Sequence, residues 1–420
     1  MKRYAHALEW LVAATLAVTV FAFAAGSSIE YHVLLYARTY RWVCLFVLLG
    51  LALVSAAVSG PRNRLPWGFL ALAAALVALT LASATWSVDP SLTLRRAGSL
   101  VVLFSIAVAL LLVSPRRVSM GLLAGAVAVG IAGVGTLALD HDAAVQPAST
   151  QYPARFQGFE QNPDTAALLF ALAIPLAVYL LLTARTFTAR LLLTAALLLF
   201  AGSITASGAR GPMLGALVGT LVVVVATAGG RGRLVLAGLT IAVFAACVGI
   251  SRIPQAKPVP PSGSNGPTIR RTLFTSSGRR AAWAGALHQA EDRPVAGYGF
   301  GTEALVFVDR YADFDSDLVE NSYIGAVLQL GIAGLALLLG IAVVALGTFA
   351  RAPARGVQAA FAGAAVAALV VAITQSFLFS VGNIATATAW ISLFLVAGHR
   401  APATSSERIA SREIATAHSG

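Results

Sequence analysis

The chain has 420 residues, of which 58% are hydrophobic and 11% charged, and its mean hydropathy is +0.82. That balance excludes a soluble multidomain protein and describes an integral membrane protein. The formal charge of +12 reads as arginines that orient membrane spans plus arginines that meet an anionic substrate, not as a nucleic-acid footprint.

A membrane-spanning helix needs about 20 mostly apolar residues. Twelve stretches approach that length: about 7–25, 42–59, 67–86, 97–114, 120–140, 164–183, 189–206, 213–229, 233–250, 322–347, 356–375 and 379–398. Barrel strands would be half as long and would alternate in polarity, which these do not. The expected fold is therefore all-α, a single polytopic bundle over residues 1–420. The N-terminus, with no small-residue cleavage site before Ser27, reads as a retained first span. Cys44 and Cys247 fall inside apolar runs and give no support for a disulfide framework. Gly121, Gly125, Gly130, Gly133 and Gly135 recur within one span, as expected where helices pack closely.

With the N-terminus inside, every short cytoplasmic connection is basic: Arg62 and Arg64, Arg116 and Arg117, Arg185 and Arg190, Arg231 and Arg233, Arg351 and Arg355. Both termini then lie in the cytoplasm, and residues 251–320 form one long polar segment outside, between the ninth and tenth spans. The outer side still holds Arg38, Arg41, Arg95, Arg96, Arg155 and Arg210. These work against the orientation signal, so they suggest an anionic ligand or pairing with outer acids.

Three outward clusters follow in chain order. Arg155 precedes Gly158, Glu160 and Asn162-Pro163-Asp164, a turn and helix-start signal. Thr205-Ala-Ser207-Gly-Ala-Arg210-Gly-Pro212 is a short reversal that puts one arginine at the membrane surface. The long segment carries Arg279, Arg280 and Trp283, then Gly297, Gly299 and Gly301, then Glu320-Asn321-Ser322-Tyr323. Residues 281–292 suggest a short amphipathic helix with Trp283 at the membrane interface. The glycines lack the spacing and preceding strand of a dinucleotide loop, yet bare turns of this kind can aim N–H groups at phosphate. Asp313, Asp315 and Asp317 start like a calcium loop, but Leu318 stands where its glycine should be and Ile324 where its glutamate should be. His288 reads as a surface histidine.

Together these pieces resemble the O-antigen ligase and polymerase superfamily of bacterial envelope glycosyltransferases. The likeness runs over about residues 150–350 and rests on Arg155…Gly158…Asn162-Pro163, Ser207-Gly-Ala-Arg210-Gly, and Arg279 four residues before Trp283. It continues through Asp292-Arg-Pro294-Val-Ala-Gly297-Tyr-Gly299 and Asn321-Ser322-Tyr323 with Leu328-Gln-Leu-Gly331-Ile-Ala-Gly334. The resemblance implies a GT-C-like bundle of about twelve spans in the bacterial inner membrane, with its active site facing the periplasm. It implies a metal-independent, cofactor-free transfer of a glycan from undecaprenyl diphosphate to a hydroxyl of lipid A–core. The membrane lipid is the only other partner expected, and nucleic acid is not one. A polymerase would use the same donor. A transporter or flippase fits less well, because Glu9 is the one clear mid-span charge and no internal repeat is evident. By resemblance Arg210 and Arg279 grip the diphosphate, and Glu320 occupies the place where members commonly carry histidine. The implied catalytic set is Glu320, Arg210 and Arg279; the implied substrate contacts are Arg155, Arg280, Trp283, Gly297, Gly299, Asn321 and Tyr323.

Overall fold

In the computed structural model, which describes residues 2–59, 65–148, 154–159, 162–250, 279–307, 316–351 and 356–398, the apolar stretches are helices. A backbone in lipid must satisfy its own N–H and C=O groups, and a helix does so within one segment. The helices are α1 (Lys2–Ala25), α2 (Tyr31–Ser59), α3 (Trp67–Ala82), α4 (Pro90–Leu111), α5 (Pro115–Leu139), the single turn α6 (His141–Ala144), α7 (Pro163–Thr183), α8 (Phe187–Ser207), α9 (Arg210–Thr227) and α10 (Gly230–Ile250). In the polar segment lie α11 (Arg279–Ala290) and α12 (Glu303–Val306), followed by α13 (Ser322–Arg351), α14 (Val357–Val371) and α15 (Ile384–Ala397). A 3₁₀ turn (Ser83–Thr85) and two short antiparallel strands, β1 (Val145–Gln146) and β2 (Arg155–Phe156), complete the described elements.

Among the described residues ten helices are long and apolar enough to cross a membrane. The expected spans 356–375 and 379–398 are instead α14 and α15, of 15 and 14 residues, each about 20 Å long at 1.5 Å per residue. Side chains capture the carbonyls between them: Ser322 Oγ donates to Gln375 O, Thr386 Oγ1 to Phe377 O and Trp390 Nε1 to Leu378 O. Helix α2 begins eleven residues before the expected start at 42, which brings Arg38 and Arg41 onto its first turns. Arg38 Nε donates to Gly26 O, and the Arg41 guanidinium lies 5.4 Å from the Phe23 ring centroid.

Glycine sets the helix spacing at Gly121 and Gly125, as expected, whereas a Cβ at Gly135 would meet nothing within 4 Å. A Cβ added at Gly121 would lie 2.6 Å from Ala13 O on α1. On α9, Gly215 and Gly219 leave no room for a Cβ beside Val371 and Gly363 of α14, and Gly211 abuts Thr374 just beyond α14. These contacts lock the start of α9 to the segment at 372–376.

Helix α13 is broken at Gly331 (φ 64°). Ile332 N–H donates to Pro294 O, while Leu328 O and Gln329 O accept the N–H groups of Tyr298 and Gly299. The polar segment thus replaces the hydrogen bonds the helix gives up. Irregular backbone is tolerated here because protein covers it.

Candidate active site

The start of α7, the α8–α9 turn, the 372–376 segment and the residues before α13 meet at one end of the bundle. Asn162 caps α7 by accepting the Asp164 N–H at 2.8 Å, with Pro163 in the first helical position. Asp164 then accepts Arg155 Nη2 at 2.5 Å, and Arg155 Nε donates to Ser207 O at 2.7 Å. With its side chain 6% exposed, Arg155 braces α7 against α8. Gly208, at φ 62°, ends α8, and α9 starts two residues later with the half-buried Arg210.

Glu320 sits in a turn at φ 57°, left-handed backbone that costs a non-glycine residue ~1–3 kcal/mol and persists only where its surroundings enforce it. The surroundings are explicit. Val319 O accepts Trp283 Nε1 at 3.0 Å, Val319 N–H donates to Glu303 Oε1 at 2.9 Å, and Asn321 N–H donates to Ser376 Oγ at 3.1 Å. Asn321 Oδ1 in turn accepts the N–H groups of Tyr323 and Ile324, capping α13. The Glu320 carboxylate accepts from Ser316 Oγ at 3.1 Å and lies 3.6 Å from Arg279 Nη2. Its side chain is 21% exposed and that of Arg279 20%, so both charges are largely withdrawn from water.

That withdrawal decides the proton affinity of Glu320. A helix N-terminus and neighbouring arginines should lower it, and Arg279 does act in that direction. Burial outweighs this and, with the nearby Asp164 charge adding to it, pushes the Glu320 carboxyl up to about 7. A carboxylate that exchanges its proton near neutral pH is suited to general acid–base work.

A second carboxylate, Glu303 at the start of α12, lies 5% exposed behind this turn. It accepts from Val319 N–H, from Ser376 Oγ at 2.8 Å and from Gln329 Nε2 at 2.9 Å. Burial raises its proton affinity, while those three donors and Arg96 pull the other way. Sequence reasoning passed over Glu303. The available signal was a carboxylate set between Phe300 and Phe307 right after a Gly-x-Gly-x-Gly turn.

Most of the expected substrate contacts are already committed inside the protein. The N–H groups of Gly297, Gly299 and Gly301, expected to face phosphate, donate to Arg293 O, Gln329 O and Gln329 Oε1, and a Cβ at these positions would collide with Gln329, Ser87 and Arg96. Trp283, expected at the membrane interface, packs beside Ala282, Ala286 and Val319. Helix α11 itself lies against α13 through these alanines. Asn321 is the α13 cap, and Tyr323 Oη donates to Leu369 O at 2.7 Å. Arg280 is exposed, as are Asp317 and His288, the latter 3.3 Å from Glu291. Residues 251–278, Glu160, Asp313 and Asp315 lie outside the described residues. What remains at the turn is Arg279, whose buried Nε has no hydrogen-bond partner among the described residues, with Glu320 beside it; Arg210 precedes Gly211, which abuts Thr374.

Compared with known proteins, the chain gives no match among curated sequences. A family model described as O-antigen ligase matches residues 195–339, roughly a third of the chain. That stretch contains Arg210, Arg279, Glu303 and Glu320, so this part of the membrane protein is similar to the O-antigen ligase family.

Proposed function

We propose that the protein is an O-antigen ligase, moving a glycan from undecaprenyl diphosphate to a hydroxyl of lipid A–core at the periplasmic face of the inner membrane. The observation that carries this reading is the Arg279–Glu320 pair, 3.6 Å apart, in a turn that also faces Asp164. In the transfer the acceptor oxygen bonds to the sugar C1 as the C1–O bond to the diphosphate breaks. The hydroxyl proton passes to Glu320, and the leaving diphosphate keeps the electron pair and gains charge. Arg279 and Arg210 bind that charge; planar guanidinium groups do so with paired, charge-assisted hydrogen bonds. Engaging Arg279 with diphosphate also takes from Glu320 the cation that lowers its proton affinity. Donor binding thereby strengthens the base. An apolar cleft of about 350 Å³ among α7, α8, α9 and α10 includes Thr205 and Met213, on either side of Arg210 in the chain, and suits a polyprenyl tail.

The direct test is complementation of a ligase-null strain. A restored lipopolysaccharide ladder on lipid A–core supports the ligase; long lipid-linked chains without transfer would make the protein a polymerase instead. Sidedness is checked separately. Once Cys44 and Cys247 are replaced, Val295→Cys is expected to react with an impermeant thiol reagent in intact cells and Thr188→Cys only after lysis; both positions are exposed. Reaction of Thr188→Cys in intact cells would overturn the topology and the periplasmic site together.

A further inference from the structure

The turn that carries Glu320 is tied down on both flanks by one buried carboxylate. Glu303 Oε1 accepts the Val319 N–H directly at 2.9 Å and the Ser376 hydroxyl at 2.8 Å, and that same hydroxyl oxygen accepts the Asn321 N–H at 3.1 Å. The residues immediately before and after Glu320 therefore hang from Glu303, one directly and one through a single hydroxyl. The other carboxylate oxygen accepts Gln329 Nε2 at 2.9 Å. The orientation of that amide is set by its far end, because Gln329 Oε1 accepts the Gly301 N–H at 2.7 Å and a backbone N–H requires an acceptor. Among the described residues every hydrogen-bond partner of the Glu303 carboxylate is thus a donor: one backbone N–H, one hydroxyl and one amide. Arg96, held through Nη1 to Gly301 O at 2.7 Å, supplies a nearby positive charge.

We propose that Glu303 is a positioning residue for the transfer, holding Glu320 in its left-handed turn beside Arg279 through Val319 and Ser376. The proposal rests on the reading of Glu320 as the base. Glutamine at 303 can keep its carbonyl oxygen on Val319 and Ser376 only by turning its NH₂ onto the NH₂ of Gln329, two donors facing each other. If Gln329 flips to relieve this, Gly301 N–H loses its acceptor. Buried donors left unmade are costly. The exchange Glu303→Gln with Gln329→Glu removes the conflict: the new amide donates to the new carboxylate, whose second oxygen accepts Gly301 N–H.

The experiment uses the full-length purified protein with polyprenyl-diphosphate-linked glycan and lipid A–core. Glu303→Gln is expected to lower kcat at least tenfold at unchanged donor KM. It should also move the acidic midpoint of the kcat/KM profile away from about 7, because Glu320 shifts relative to Arg279, Asp164 and Ser316, the groups that face it in the free enzyme. The double exchange should restore both. Combined with Glu320→Gln, Glu303→Gln should add little further loss, since it acts through a group already removed. Ser376→Ala, which cuts only the Asn321 side of the clamp, should give the same split and midpoint shift, and it decides the matter if Glu303→Gln does not accumulate. Wild-type kcat and midpoint in either variant overturn the proposal, as does a double exchange that inserts normally without recovering activity. Full activity of Glu320→Gln would instead overturn the base assignment, whereas a slow Glu320→Gln beside an unaffected Glu303→Gln overturns only the role of Glu303.

Discussion

Glu320→Gln is expected to slow transfer by about 10²–10⁴-fold, the range for losing a positioned general base, while donor binding and membrane insertion stay near wild type. Glutamine keeps the shape and can still accept from Ser316 Oγ, so the change removes the proton-accepting function with little else. The pH dependence carries the same signature. A base works only when ionised, and burial has raised this carboxyl from the usual 4.5 to about 7. The wild-type kcat/KM, which reports the free enzyme, should therefore fall as pH drops through about 7, and that acidic limb should flatten in the glutamine variant. Glu320→His is expected to recover part of the rate, because histidine titrates near 6.5 and is among the residues enriched in left-handed backbone. Wild-type turnover by Glu320→Gln would leave this residue as a turn-forming acid and reopen the search for the base.

Arg279→Ala is expected to cost about 10²–10³-fold or more in transfer, the scale for deleting one preorganised donor to developing negative charge. Two effects combine. The leaving diphosphate loses a guanidinium whose buried Nε has no partner among the described residues, and Glu320 loses the cation 3.6 Å away that holds its proton affinity down. The residual activity should consequently show its acidic midpoint above the wild-type value. Arg279→Lys should rescue poorly, since an ammonium cannot reproduce the planar fork of donors. Arg280→Ala is the control, because that side chain is exposed. Arg210→Ala should likewise suppress transfer. Near-normal rates in the alanine variants of both Arg279 and Arg210, measured in protein that inserts normally, would remove the diphosphate-binding role.

What the sequence by itself determined was whatever depends on residues a few places apart. Apolar runs of membrane length dictate helices, because hydrocarbon offers the backbone no other partner. Asn162-Pro163 starts α7 through a bond spanning two residues, and Ser207-Gly208 ends α8 through a left-handed glycine. The order of the arginine, glycine and Asn-Ser-Tyr pieces likewise sufficed to suggest the family. Only the tertiary structure decided which polar atoms are spent. Gly297 and Gly299 look like a phosphate cradle in one dimension, but their N–H groups go to Arg293 and Gln329 because α13 breaks at Gly331 and the polar segment fills the gap. Helices α14 and α15 stop short because Ser322, Thr386 and Trp390 take the carbonyls between them. The same holds for charge. Glu320 stands at a helix start near arginines, a setting that favours ionisation, yet its carboxyl is raised because α11, the start of α7 and the segment after α14 close around it. The cost of desolvating a charge depends on what surrounds it in three dimensions, and the groups that surround Glu320 lie as far as 156 positions away in the chain at Asp164.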